Sequence, residues 1–192
     1  MKYEKRPITA ILRSPKTVFT FKDIALIWGD DNKSAIASAI NYYVRTGQLY
    51  SIRRGIYAKD KNYQKEELAT RIFTPSYISF ETVLAKEGIN FQYYSQIFVA
   101  SYLTRELTID NQTYVFKKIK NLVLTNPAGI MHANETSIAT AERAVLDTLY
   151  INTDYHFDNV RSLDWDKVFE ILPIYKNKSL ARKLVQIKKG NP

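Results

Sequence analysis

Apolar positions in the first sixty residues recur at two different periods, and the changes between them divide the chain into short elements. Ile8, Ile11 and Leu12 sit at helical spacing and predict a helix over Pro7–Arg13. Ser14-Pro15 stops it, because proline disfavours helix in the residue before it. Val18–Thr20 is a short β-like stretch. Phe21–Trp28 is apolar at 21, 24, 25 and 28 and predicts a second helix. The turn Gly29-Asp30-Asp31-Asn32 supplies side chains that cap the helix after it. A third helix runs over Lys33–Thr46 and is closed by Gly47. Then come two short apolar runs around Arg53-Arg54-Gly55, the pattern of a tight hairpin with the glycine at its φ > 0 position. Helix, strand, helix, turn, helix and two-stranded wing is the order of a winged helix-turn-helix domain.

The third helix divides into two faces. Ile36, Ala39, Ile40, Tyr43 and Val44 face a core. The opposite face carries Ser34, Ala37, Ser38, Asn41, Tyr42 and Arg45, and no acidic residue occurs from Lys33 to Arg45. Small residues let a helix enter a major groove about 12 Å wide, where Asn and Arg bond base edges or phosphates. Arg53 and Arg54 at the wing tip suit phosphates or the adjacent minor groove. The candidate DNA-binding residues are therefore Lys33, Ser34, Ser38, Asn41, Tyr42, Arg45, Arg53 and Arg54. An ordinary solvated helix face and two solvated turn arginines are the plainer alternatives.

Past the polar stretch KDKNYQ (59–64) the pattern changes. Helices are expected over Gln64–Phe73, Ser79–Lys86, Thr140–Tyr150, Trp165–Leu172 and Leu180–Ile187. Strands are expected over Gln96–Ser101, Glu106–Ile109, Thr113–Lys118 and Leu122–Thr125. Helices on either side of a small antiparallel sheet predict an α+β domain. The expected division is residues 1–61 and residues 62–192. Arg143 and Asp147, four apart, suit a helix-surface ion pair worth a few tenths of a kcal/mol, or a partner surface. Ser79 is placed to cap its helix.

Charge sharpens the division. The 192 residues carry a net charge of +9. Residues 1–61 hold 12 Lys+Arg against 5 Asp+Glu, and residues 62–192 hold 16 against 14. A basic module joined to a nearly neutral remainder suits a polyanion partner. The absence of cysteine removes thiol chemistry, Cys-based zinc sites and disulfides. No apolar run approaches the ~18 residues of a membrane span. MKYEKRPITAIL turns polar too soon for a secretory signal, so a cytoplasmic location is expected. His132 and His156 share no ligand-like spacing with acids. Asp154, Asp158, Asp164 and Asp166 are irregularly spaced and suit a solvated loop and helix start better than a metal or nuclease site. No enzyme activity, cofactor or metal is expected.

Three stretches carry a family resemblance: GQLYSIRRGIYAK (47–59), SYISFETVLAKEGI (76–89) and IATAERAVLDTLY (138–150). In this order they resemble the wing and two later segments of AbiEi-type antitoxins, over most of residues 20–150. Glu87 stands where that family often has His, and Ala141 where Pro is common. The resemblance implies a winged-helix repressor fused to an antitoxin domain, autoregulating a toxin–antitoxin operon through double-stranded promoter DNA. It also implies a nucleotidyltransferase-like toxin as the functional partner. A winged-helix protein-interaction module without DNA binding is the alternative. Residues 151–192 carry no resemblance.

Overall fold

The computed structural model describes residues 6–190, so the first residues of MKYEKRPITAIL lie outside the described residues. The chain is mixed α/β and forms two compact units, divided between Ile72 and Phe73. Among the described residues no helix is long and apolar enough to cross a membrane.

The first unit contains α1 (Ile8–Leu12), β1 (Val18–Thr20), α2 (Phe21–Trp28), α3 (Lys33–Arg45), β2 (Tyr50–Arg53), β3 (Ile56–Ala58) and α4 (Lys65–Ile72). Its strands form a small antiparallel sheet in the order β1-β3-β2. Local chemistry fixes the helix starts. Thr20 and Asp23 form a reciprocal capping box on α2, with the Thr20 hydroxyl and N–H both bonding the Asp23 carboxylate. Asn32 caps α3 by accepting from the Ala35 N–H at 3.1 Å. Ile11, Phe19, Ile24, Trp28, Ile36, Ala39, Ile40, Tyr43 and Leu49 make one core cluster. Two polar tips hold the chain entering α1: Trp28 Nε1 donates to the Pro7 carbonyl at 3.2 Å and the Tyr43 hydroxyl to the Arg6 carbonyl at 2.8 Å.

The division falls one helix later than KDKNYQ suggests. Glu67 on α4 is almost fully buried and accepts from the Thr17 N–H (2.8 Å) and hydroxyl (2.6 Å) beside β1. That link commits α4 to the first unit. The polar stretch between β3 and α4 is thus a loop within a unit.

The second unit contains β4 (Ser76–Ile78), α5 (Glu81–Lys86), β5 (Ile97–Ser101), β6 (Arg105–Ile109), β7 (Gln112–Lys118), α6 (Asn121–Leu124), β8 (Ile130–Ala133), β9 (Thr136–Ala139), α7 (Ala141–Ile151), α8 (Trp165–Ile171), a 3₁₀ turn (Leu172–Tyr175) and α9 (Lys178–Gly190). Its sheet has the order β6-β7-β5-β4-β9-β8. The expected small antiparallel sheet is instead six-stranded and mixed, because β5 pairs with β7, and β4 with β9, in parallel. Leu122–Thr125 is not a strand. Val123 and Leu124 are buried while Leu122 is exposed, and a run this short reads alike in helix and strand. The β8–β9 hairpin, turning at Asn134-Glu135 with both φ positive, was not expected at all.

Ser79 does not cap α5. Phe80 occupies that position at φ 56, an outlier for a bulky residue, and the Ser79 hydroxyl donates instead to Asp147 at 2.8 Å. The Arg143–Asp147 pair is likewise not on a surface. Both side chains are fully buried in α7, with Arg143 Nε 3.2 Å from Asp147 Oδ1. Asp147 also accepts from the hydroxyls of Tyr77 (2.9 Å) and Tyr175 (2.6 Å). Arg143 donates to the Ala128 carbonyl (2.6 Å), the Val123 carbonyl (2.7 Å) and the Tyr77 hydroxyl (2.9 Å). Burial pushes the Asp147 carboxyl up, against Arg143 and the three hydroxyls. Burial alone would pull Arg143 down, but the Asp147 charge and the phenolic oxygens more than offset it and hold the guanidinium charged. Gly129 makes the arrangement possible. A Cβ there would lie 2.8 Å from the Arg143 Cβ and 2.8 Å from Ile171 Cδ1.

Candidate nucleic-acid interface

The interface expected from the sequence sits on α3 and on the β2–β3 turn. Ile36, Ala39, Ile40 and Tyr43 take the inner face of α3 and fix its rotation about its own axis. That rotation leaves Ser34, Ser38, Asn41 and Arg45, at i, i+4, i+7 and i+11, as one exposed stripe about 16 Å long. The Ser38 hydroxyl donates to the Ser34 carbonyl at 2.9 Å, a bond a groove contact would replace. Lys33 is exposed in the first turn beside the stripe. Tyr42 is half-buried, packed edge-on against Tyr43 with ring centroids 5.5 Å apart, so it flanks the stripe.

Arg53 and Arg54 are exposed at the hairpin turn, where Gly55 has φ 79. The Gly55 carbonyl accepts from the Phe21 N–H at 3.1 Å, which seats the turn at the start of α2. This contact brings in an exposed cation the sequence reading passed over: Lys22, in the first turn of α2. A single sequence gives no signal for it, since only the β1–β3 pairing brings the turn there.

Other cations of this unit are committed internally. Lys16 pairs with Asp23 at 2.7 Å, Arg6 with Asp30, and the Lys59 ammonium donates to the Ser14 carbonyl. Burial alone would push the Asp23 carboxyl up. Lys16, Thr20 and Arg71 together hold it below the usual 3.8. The unit's charge therefore divides into an internal share that fixes the fold and an outward share on α3, the turn and Lys22, with Arg13 and Lys61 exposed as well.

Two of the late acids are engaged by backbone N–H groups. Asp164 caps α8, accepting from the Asp166 and Lys167 N–H groups, and Asp158 accepts from the Phe91 N–H at 2.8 Å. Among the described residues, no group of three or more His, Asp or Glu side chains converges as a metal site would require.

No family model matches the chain, and no curated protein matches it. Solved structures similar to it include the RV2827C protein from Mycobacterium tuberculosis, at 13% identity and a TM-score of 0.47, over 100% of this chain and 73% of that one.

Proposed function

We propose that the first unit is a winged helix-turn-helix that binds double-stranded DNA, with α3 as its recognition helix and the β2–β3 turn as its wing. The chain is then a DNA-binding antitoxin and transcriptional autorepressor of a toxin–antitoxin operon, counteracting a nucleotidyltransferase-like toxin. The observation that carries the DNA-binding reading is the acid-free stripe Ser34–Ser38–Asn41–Arg45. It is exposed along its length and carries small or hydrogen-bonding side chains only. The element order and the β1-β3-β2 sheet support it. The antitoxin half rests on the resemblance of residues 76–89 and 138–150. In the second unit those residues form the buried Arg143–Asp147 network and its surroundings.

The test is a salt titration of promoter binding by the full chain. Arg53→Ala/Arg54→Ala should weaken binding and flatten the log–log salt slope by roughly two, at about 0.9 per phosphate contact. An unchanged slope removes the wing from the interface. A second reading, a winged-helix protein-interaction module without DNA binding, is favoured by Leu26, which is 83% exposed on α2. Failure to bind the chain's own upstream DNA, with a partner retained on purification and lost on Leu26→Ser, would establish that reading instead.

A further inference from the structure

The second unit is nearly neutral only on average. Residues 73–170 carry 8 Lys+Arg and 12 Asp+Glu, whereas residues 171–192 carry 6 Lys+Arg and no acid. Five of those six cations lie on α9. Leu180 and Leu184 are fully buried and fix which side of α9 faces the protein. Directly opposite lie Lys178, Arg182, Val185 and Lys189, at i, i+4, i+7 and i+11, all exposed. This is the spacing of the α3 stripe. Among the described residues, none of the three cations is ion-paired to a carboxylate. The neighbouring Lys188 is placed differently, its ammonium 5.2 Å from the Phe169 ring centroid and 5.9 Å from that of Trp165.

We infer that the outward face of α9 is a second nucleic-acid contact, made to the phosphate backbone and indifferent to base sequence. The polyanion is taken as duplex DNA on the strength of the function proposed above. Two features favour it over other anions. The cations form a line, with side chains about 6 and 10 Å apart along the helix axis, against a duplex that offers a phosphate every ~3.4 Å of each strand. An anionic membrane, by contrast, would need an apolar face to insert. On α9 that face is already buried in the unit, and Val185, 42% exposed, is the one large apolar side chain outside.

The experiment measures anisotropy of a labelled 20-bp duplex of arbitrary sequence with the full chain from 50 to 200 mM KCl. Lys178→Gln/Arg182→Gln/Lys189→Gln should flatten the salt slope by about 2.7. Across that range the parent chain would then lose about 40-fold more affinity than the variant. The charge-preserving Lys178→Arg/Arg182→Lys/Lys189→Arg should keep the parent slope, and both variants should keep the parent melting temperature. Lys118→Gln/Lys120→Gln/Arg161→Gln removes the same charge from exposed sites elsewhere in the unit. An equal effect from that variant would reduce the result to net charge and overturn the inference. An unchanged slope in the α9 variant also overturns it, as does loss of binding to phosphatidylserine vesicles with the duplex slope intact. Arg53→Ala/Arg54→Ala, run in parallel, separates the two interfaces. If it alone shifts the slope, the α9 contact falls and the wing stands; if the α9 variant alone does, the reverse holds.

Discussion

α3 and α7 are helices of similar length with opposite fates. α3 buries Ile36, Ala39, Ile40 and Tyr43 and leaves its polar stripe in solvent. α7 buries every residue from Glu142 to Leu149, charged ones included. In α3 the polar side chains mark the surface, whereas in α7 Arg143 and Asp147 are the centre of the fold. A polar pair at i, i+4 therefore has no fixed meaning. What surrounds it decides, and around Arg143 and Asp147 stand Ala144, Val145, Leu146 and Leu149, all fully buried.

The contrast is most easily broken at Arg143. Arg143→Ala leaves Asp147 as a buried unpaired charge and orphans the Ala128 and Val123 carbonyls. It should cost about 3–5 kcal/mol in urea unfolding, and a cost under about 1 kcal/mol would mean that the network is not a core. Gly129→Ala should cost about 2 kcal/mol, from a crowded Cβ against Arg143 and Ile171 and from φ 71. The next effect is an alkaline one. Burial, reinforced by the Asp147 charge, pushes the Tyr77 and Tyr175 phenols well above their usual 10.0. Their folded pKa values exceed the unfolded ones, so their contribution is intact below pH 10 and is lost as pH rises above it. The loss is at most about 1.4 kcal/mol per pH unit for each phenol. Spectrophotometric titration should show these phenols ionising only as the protein unfolds; ionisation near pH 10 in the folded chain would contradict the burial. Smallest of all, Ser34→Ala or Asn41→Ala on α3 should change stability by no more than about 0.5 kcal/mol.

Most of the first unit was legible because its helices are half wet. α2 begins and ends at the residues that periodicity indicates, and Asn32 caps α3 as expected, while Gly29 closes α2 in the left-handed conformation. The second unit was less legible for the converse reason. α7 is apolar around most of its circumference, a sign of a fully buried helix, and that sign outranks the i, i+4 spacing that suggested a surface pair. The partners of Arg143 and Asp147 come from Tyr77, Ser79, Val123, Ala128 and Tyr175, too distant in sequence for any local pattern to join them. The β8–β9 hairpin escaped because His132 and Ala133 are exposed alongside Met131, so β8 lacks the alternation that marks a strand. Its one signal was Asn134 at a φ > 0 turn position. The cations of α9 were visible but averaged away against the acids before them.

Whether the α3 stripe meets DNA is tested most directly by placing a negative charge at its middle. Ser38→Glu adds a carboxylate to an exposed position on the acid-free face, where a like charge against phosphate costs several kcal/mol. Affinity of the full chain for its own promoter duplex should fall at least a hundredfold while the melting temperature stays within a few degrees of the parent. Promoter binding undiminished by that substitution would contradict the assignment of α3 as the helix that enters the groove.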